Sequence, residues 1–143
     1  MKKLLFSILF MLAATASFAQ VVSDGTVGKR ERRKKMTVEE WNTAVGSKQA
    51  FLDHVTTYDS LGRKIEEIEY ASYGQKSRVV TEYPAGSGID AKASREIEYD
   101  HRNKVQRIKK YEYYPNGQKK KQLNYYSNGK LESVKTFEYI FKD

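Results

Sequence analysis

A short motif that ends in tyrosine recurs along the chain and restricts it to a repetitive fold. All eleven tyrosines lie between Tyr58 and Tyr139, and successive motifs are 12 to 16 residues apart. Self-similarity at a short fixed period indicates stacked supersecondary repeats. The six motifs are Ile68-Glu69-Tyr70, Thr81-Glu82-Tyr83, Ile97-Glu98-Tyr99, Tyr111-Glu112-Tyr113, Leu123-Asn124-Tyr125 and Phe137-Glu138-Tyr139.

Each motif is typical of one strand followed by one turn. Apolar and polar residues alternate toward the tyrosine, which is the period of a half-covered strand. A glycine or asparagine usually follows four residues after the tyrosine, and Asn-Gly favours a type I′ hairpin turn. The predicted turn residues are Gly62, Gly74, Asn103, Asn116, Gly117, Asn128 and Gly129.

These units predict an all-β fold, an antiparallel meander of short strand-turn repeats in a single sheet. About six repeat strands are expected, with clear repeats from about residue 55. The tyrosines should form a ladder on one face, and Glu69, Glu82, Glu98, Glu112 and Glu138 should form a row on the other. Ile65 and Val134 are out of phase with the alternation, which either a β-bulge or a twisted strand would explain.

Two stretches resemble known repeat families. Tyr58-Asp59-Ser60-Leu61-Gly62-Arg63-Lys64-Ile65 resembles the YD repeat of RHS-type proteins. The runs Tyr113–Gly117 and Tyr125–Leu131 resemble the bacterial MORN-variant repeat. The resemblance covers about residues 55–143 and implies β-hairpin repeats. It also implies contacts with lipids or partner proteins, or an antitoxin role, although this chain has too few units to enclose a toxin as the large YD proteins do.

The N-terminus predicts export. Residues 1–19 read as a signal peptide, with Lys2 and Lys3, an apolar stretch from Leu4 to Ala14, and the cleavage site Ser17-Phe18-Ala19. The apolar stretch is shorter than the roughly 20 residues of a membrane span. The chain has no cysteine, so a lipoprotein anchor and disulfides are excluded. We therefore expect a periplasmic or extracellular protein that is not a lipoprotein.

The rest of the chain divides into a tail and a repeat domain. Residues 20–35 are expected to be a disordered basic tail, and residues 36–143 the β-repeat domain. At residues 37–45 a helix capping box competes with strand-turn-strand, which we favour. Residues 84–94 read as a mobile inserted loop.

Charge and composition argue against nucleic acid as a partner. The formal net charge is +8, but residues 29–35 carry +5 of it, and from Met36 onward there are 18 basic and 16 acidic residues. Nucleic-acid binders usually carry the basic surface on the folded module. The basic tail, residues 29–35, is instead suited to an anionic envelope surface.

Nothing in the sequence points to catalysis. The chain has two histidines, His54 and His101, and no metal-ligand spacing or glycine-rich phosphate loop. Strand geometry sends Glu66 to one face and Glu67 and Glu69 to the other, so no acidic cluster converges. We expect neither an enzyme nor a cofactor.

Two groups of residues are candidate binding sites. Aromatic residues of the ladder could stack on sugars or peptides, but we favour a role in the sheet's own packing, because small single sheets need every apolar contact. The stretch from Arg102 to Lys121 contains many basic residues and a single acidic residue, Glu112. These basic residues either bind an anion or keep an edge strand from aggregating. The candidate residues are Tyr111, Tyr113, Tyr125, Arg107, Lys109, Lys119 and Lys121.

The expected function is a non-catalytic envelope or secreted interaction module, with a protein partner or self-association. The alternatives are an immunity or antitoxin-like inhibitor that caps a protein partner, and a small glycan-binding module. A single small sheet has exposed edges and an uncovered face, which favours an associating protein in each case.

Overall fold

The fold is one open antiparallel sheet in which every strand pairs with its neighbours in sequence. The computed structural model describes residues 25–142, so the predicted signal peptide and residues 20–24 lie outside the described residues. A short helix, α1 (residues 25–31), precedes the sheet. The strands are β1 (Thr37–Asn42), β2 (Phe51–Tyr58), β3 (Lys64–Ala71), β4 (Gly74–Glu82), β5 (Arg95–Tyr99), β6 (Val105–Tyr113), β7 (Lys119–Tyr126) and β8 (Leu131–Thr136).

This architecture confirms the predicted all-β meander, with eight strands where the motif count gave about six. The two additional strands are β1 and β2. Residues 37–42 form β1, so the strand interpretation of this stretch is confirmed over the helical one. Gly46 has the positive φ of 83°, but it follows Trp41 by five residues rather than four, and its turn is closed by the Ser47 amide on Ala44 O.

Four tight turns share one geometry, and it is not the predicted one. In each, the amide of the first residue donates to the carbonyl of the fifth, and the amide of the fourth donates to the carbonyl of the first. Only the fourth residue has positive φ, whereas a type I′ turn requires two such residues. This pattern is a type I turn followed by a left-handed residue. The four residues are Gly62, Asn103, Gly117 and Gly129.

The type I′ assignment of Asn116-Gly117 and Asn128-Gly129 is therefore wrong. Asn116 and Asn128 keep negative φ and contribute through their side chains. Asn116 Oδ1 accepts from the amide of Gln118 at 3.0 Å, and Asn128 Oδ1 from that of Lys130 at 2.9 Å. An asparagine side chain that bonds its own backbone two residues on is a common turn device. Gly74, the remaining predicted turn residue, has φ 109° and begins β4.

Each of these turns is followed by a β-bulge in the second strand. Tyr58 pairs with Lys64 whereas Thr57 pairs with Glu66, so Ile65 is the extra residue. The same register shift leaves Glu132 as the extra residue at the start of β8. The bulge explanation is thus confirmed for Ile65. It does not account for Val134, because no register shift lies between Val134 and the end of β8 at Thr136.

The registers define two different faces. The apolar face carries a row of directly paired apolar side chains across five strands, β4 to β8, namely Val80, Ile97, Ile108, Tyr125 and Leu131. The other apolar residues of this face are Val55, Ile68, Leu123 and Val134. The polar face carries mostly charged and polar side chains, namely Thr56, Glu67, Thr81, Glu96, Glu98, Lys109, Tyr111 and Asn124. No hydrophobic side chain among residues 25–142 is buried.

The predicted single ladder of tyrosines is wrong. Neighbouring strands run in opposite directions, so a motif at the end of every strand alternates between the two ends of the sheet. Tyr58, Tyr83 and Tyr113 lie at one end, here called the near end, on the polar face, and Tyr139 follows β8 at the same end. The far end carries the other row, Tyr70, Tyr99 and Tyr125, on the apolar face.

The glutamates do not form one row either. Glu69 and Glu98 lie on the polar face, whereas Glu82 and Glu112 lie on the apolar face. Three have cationic partners on a neighbouring strand, which limits like-charge repulsion across the sheet. The pairs are Glu69 with Lys76, Glu82 with Arg95 and Glu98 with Lys109.

The residues that were expected to form a disordered tail are ordered from residue 25 onward. α1 is followed by a turn at 32–35, whose end joins the sheet, because the Lys35 amide donates to Asp59 O and the Tyr58 amide to Met36 O, each at 2.9 Å. Two aromatic rings of the near end bind its arginines: Arg33 lies over Tyr58 and Arg30 over Tyr83. The arginines whose charge predicted disorder thus contact aromatic rings and backbone carbonyls of the folded domain.

Candidate functional site

The near-end tyrosines use their hydroxyls within the fold. Tyr83 Oη donates to Lys64 O at 3.0 Å, Tyr113 Oη to Ala93 O at 2.6 Å, and Tyr139 Oη to Lys119 O at 2.9 Å. Each contact reaches from the end of one strand to the beginning of the strand before it. The repeated tyrosine therefore ties neighbouring strands together, which favours the packing interpretation of these tyrosines over a ligand-binding one.

The hydroxyl of Tyr111 also forms its hydrogen bond within the sheet. Its hydroxyl donates to Glu96 Oε2 at 2.6 Å on the paired strand, and Lys119 Nζ lies 4.2 Å from the centre of its ring. Burial and the bond to the Glu96 carboxylate raise the pKa of Tyr111 well above its usual value. Tyr113 packs beside it at a ring distance of 6.4 Å.

The seven predicted binding residues divide between the two faces. Tyr111, Tyr113, Arg107, Lys109 and Lys119 lie on the polar face, while Tyr125 and Lys121 lie on the apolar face. Tyr125 lies in the apolar row between Ile108 and Leu131. The structure thus places five of the seven on one face, spread along β6 and the start of β7, and places Tyr125 and Lys121 on the other face.

The basic residues of β6 are paired with acids that the local sequence did not reveal. Lys109 bonds Glu98 of β5, and Arg107 lies 3.4 Å from Glu132 at the start of β8. Both partners lie outside residues 101–121 and come close only through strand pairing. This neutralisation favours solvated, paired charge over an anion site at β6. The expected protection of an edge strand is wrong, because β6 and β7 are interior strands with a neighbour on each side.

A cleft at the near end was missed in the sequence, because it forms between two segments about 30 residues apart. It has a volume of about 320 Å³ between α1, the following turn and the polar face. Four cationic residues line it and no carboxylate does. The lining residues are Thr26, Lys29, Arg30, Arg33, Tyr58, Gly62, Lys64 and Tyr83.

Two arginines hold the inserted loop against this cleft. Arg30 Nη1 donates to Ile89 O and, at 3.0 Å, to Ala91 O. Arg63 Nη1 donates to Ser87 O at 3.2 Å and Ser87 Oγ at 2.9 Å, and its guanidinium lies 4.4 Å from the centre of the Tyr83 ring. The loop expected to be mobile is thus anchored at several carbonyls. Burial raises the pKa of Tyr83, while the charges of Arg30 and Arg63 oppose that shift.

Asp59 positions Arg63 beside the cleft. Its Oδ1 accepts from the amides of Leu61 and Arg63, each at 2.9 Å, and its Oδ2 accepts from Arg63 Nε at 2.8 Å. Burial alone would raise the pKa of Asp59, but these hydrogen bonds outweigh burial and lower it. Asp100 accepts from the amides of Arg102 and Lys104 in the same way, so the tyrosine-aspartate pair has one structural role in both turns.

The histidines and the acidic residues do not come together as a catalytic or metal site within residues 25–142. His54 contacts the neighbouring Asp53 at 3.0 Å, and His101 lies in a turn with its ring 6.4 Å from that of Tyr73. Within residues 25–142, no three histidine, aspartate or glutamate side chains come together as a metal site would require. None of the helical structure in the same range is long and apolar enough to cross a membrane.

Comparison with known proteins shows little likeness. No family model matches the chain, and no curated protein matches it. One solved structure with some likeness is a mutant of TarM from S. aureus, in complex with fondaparinux, α-GlcNAc-glycerol and UDP. It is 16% identical with a TM-score of 0.29, and the match covers 82% of this chain but only 21% of TarM. The resemblance to YD and MORN-variant repeats stays a prediction.

Proposed function

We propose that the chain is a non-catalytic, exported interaction module that docks a protein partner on its apolar face. One observation carries the proposal: a contiguous apolar row crosses five strands, β4 to β8, and no hydrophobic side chain in residues 25–142 is buried. A sheet normally buries one face against another layer. Within the described residues each strand contacts only its neighbours in the sheet, so that layer has to come from elsewhere.

The size of the apolar face suits a protein partner. Eight strands spaced about 4.8 Å apart and about 20 Å long present a face of about 800 Å². A standard protein interface buries about 800 Å² on each partner. The apolar row is flanked by paired charges such as Glu66 with Arg78 and Glu82 with Arg95, which resembles the polar rim around an interface core.

The exposed apolar residues of β8 provide the test. Leu131 and Val134 are 52% and 47% exposed, so a charge there should not unfold the sheet. A photo-crosslinking residue at position 131 should capture one protein, and Leu131→Lys with Val134→Lys should weaken binding of that purified protein at least tenfold. The control Ser133→Lys lies on the opposite face of the same strand and should change binding less than twofold.

Light scattering distinguishes a second copy of the chain from a different protein. A stable monomer that yields no crosslink from position 131 in the native host would refute the proposal. So would equal loss of binding in the Ser133→Lys control. The crosslinked partner also discriminates the inhibitor alternative, because a toxin would then be the captured protein.

A further inference from the structure

We propose that the near-end cleft binds a phosphate group, held by Lys29 and Arg33 beside the ring of Tyr58. The cleft lies on the polar face, so this site is independent of the apolar face that supports the proposed function. The ligand class is a phosphorylated compound, either a soluble phosphate ester or a lipid headgroup.

The charge around the cleft is the first argument. Lys29, Arg30, Arg33 and Lys64 line it, and each nearby acid is paired with a cation other than Lys29 or Arg33. Asp59 bonds Arg63, Glu67 bonds Lys64, and Glu31 bonds Lys34. Among residues 25–142, Lys29 and Arg33 have no carboxylate within ion-pair distance. Two cations that converge on a concave site without an anion attract one from solution.

The second argument is the rigidity of the cleft. Arg30, which lines the cleft, donates through its guanidinium to two carbonyls of the inserted loop. The turn after α1 is bonded to Tyr58 and Asp59 through the backbone. The backbone of Arg30 also lies directly against Gly62. A cationic site held in place by the fold loses little conformational freedom on binding, which increases affinity.

The third argument is which side chains line the cleft and where they lie. The Arg33 guanidinium lies 5.1 Å from the centre of the Tyr58 ring, which orients its planar face while its N–H groups stay available. Arginine donates two parallel hydrogen bonds to a phosphate, and lysine adds a point charge. A volume of about 320 Å³ admits a small phosphorylated molecule.

Pyrophosphate is the probe for the soluble source, and vesicles containing phosphatidic acid are the probe for the headgroup. Titration of the full chain with pyrophosphate at low salt should give saturable NMR shifts of the Gly62 amide. The double variant Lys29→Gln with Arg33→Gln should weaken binding at least tenfold. The control Arg102→Gln with Lys104→Gln removes the same charge from the far-end turn and should weaken it less than twofold.

The two probes identify the source of the phosphate. Loss of pyrophosphate binding confined to the cleft variant indicates a soluble phosphate ester, and loss of vesicle binding confined to it indicates a headgroup. Either result supports the site. Equal weakening in the cleft and far-end variants would show attraction by net charge alone and would overturn the proposal, as would the lack of saturable binding to both probes.

Discussion

The carbonyl oxygen of Arg30 lies 1.7 Å from the point where a β-carbon on Gly62 would stand. Gly62 also has a φ of +73°. One glycine therefore satisfies two requirements: the left-handed turn between β2 and β3, and the close approach of the segment after α1. A sequence pattern can predict the first requirement, but the second depends on a contact between residues far apart in the chain.

Replacing Gly62 with alanine should separate these two requirements. Gly129→Ala is the matched control, because Gly129 has φ +83° and open space around its absent side chain. The control should cost about 1–2 kcal/mol of unfolding free energy from left-handed strain alone. Gly62→Ala should cost more, because the clash with Arg30 must also be relieved.

The clash is most easily relieved by movement of residues 25–35, which contain several trypsin sites. Limited trypsin digestion should therefore cut within this segment faster in Gly62→Ala than in the wild type, and Gly129→Ala should be cut there at the wild-type rate. Equal melting temperatures and equal digestion for the two variants would contradict the packing of Arg30 against Gly62.

The second prediction concerns acid stability and Asp59. Its folded-state pKa is lowered below the ordinary value of 3.8, so its stabilising effect is complete above that value and is lost as the pH falls through the folded pKa. Asp59→Asn keeps a hydrogen-bond acceptor but cannot titrate. We expect the variant to lose about 1 kcal/mol at pH 7, since hydrogen bonds to charged groups are the stronger ones.

Thermal melts from pH 6 to pH 2 measure this effect. The difference in melting temperature between the wild type and Asp59→Asn should shrink as the pH falls below 4. Curves that stay parallel over the whole range would show that the Asp59 carboxylate does not contribute through its charge.

Local repeats predicted most of the strands, because each unit carries its own alternation and its own turn residue. The motif Phe137-Glu138-Tyr139 is an exception, since β8 ends at Thr136. The face on which each residue lies was harder to predict from the sequence. Tyr113 and Tyr125 close equivalent motifs, yet they lie on opposite faces at opposite ends, because a bulge follows each tight turn and strand direction alternates. A single motif indicates neither where a bulge lies nor which strand is the partner. The prediction of a single tyrosine ladder was therefore incorrect.

The candidate site shows the same limit. Lys109 and Arg107 looked like an unpaired basic cluster because their acidic partners, Glu98 and Glu132, belong to other strands. The charged segment before β1 looked disordered because its composition lacks apolar residues. Its anchors are the rings of Tyr58 and Tyr83 and the loop carbonyls, which no window of local sequence contains.

The third prediction concerns alkaline titration. The folded-state pKa of Tyr111 is raised by burial and by Glu96, so its stabilising effect is complete below the ordinary value of 10 and is lost as the pH rises through the folded pKa. Ultraviolet titration of the folded wild type should show one tyrosine that ionises after the others. That step should disappear in Tyr111→Phe.

Tyr126 provides the control, because it is 50% exposed. Tyr126→Phe should retain the late step, and its unfolding free energy should match that of the wild type within about 0.5 kcal/mol. Tyr111→Phe should cost about 1–2 kcal/mol through the lost bond to a carboxylate. A late step that survives in Tyr111→Phe would assign the hindered hydroxyl to another residue.

The fourth prediction concerns export, and it rests on the leader sequence alone. Processing after Ala19 leaves Gln20 as the first residue. Mass spectrometry of the protein from its native host should find that N-terminus in the periplasmic or extracellular fraction. Ala19→Arg should block processing, because the cleavage site requires a small residue. A cytoplasmic product that retains Met1 would contradict the predicted localisation.

The last prediction separates the two rows of tyrosines. Tyr125 lies in the apolar row, so Tyr125→Ser removes contact area from the proposed docking surface. Its hydroxyl makes no hydrogen bond within the described residues, and Lys110 lies 5.2 Å from the centre of its ring. Tyr113, by contrast, donates to Ala93 O and holds β6 against the start of β5.

Tyr125→Ser should therefore weaken partner binding or self-association at least tenfold while its melting temperature falls only modestly. Tyr113→Phe should do the reverse: it should lose about 1 kcal/mol of unfolding free energy with the single hydrogen bond and bind the partner as the wild type does. Titration calorimetry and thermal melts on the same two proteins measure both effects. If Tyr113→Phe reduces binding as strongly as Tyr125→Ser does, the partner contacts the polar face, and the division of labour between the two rows is wrong.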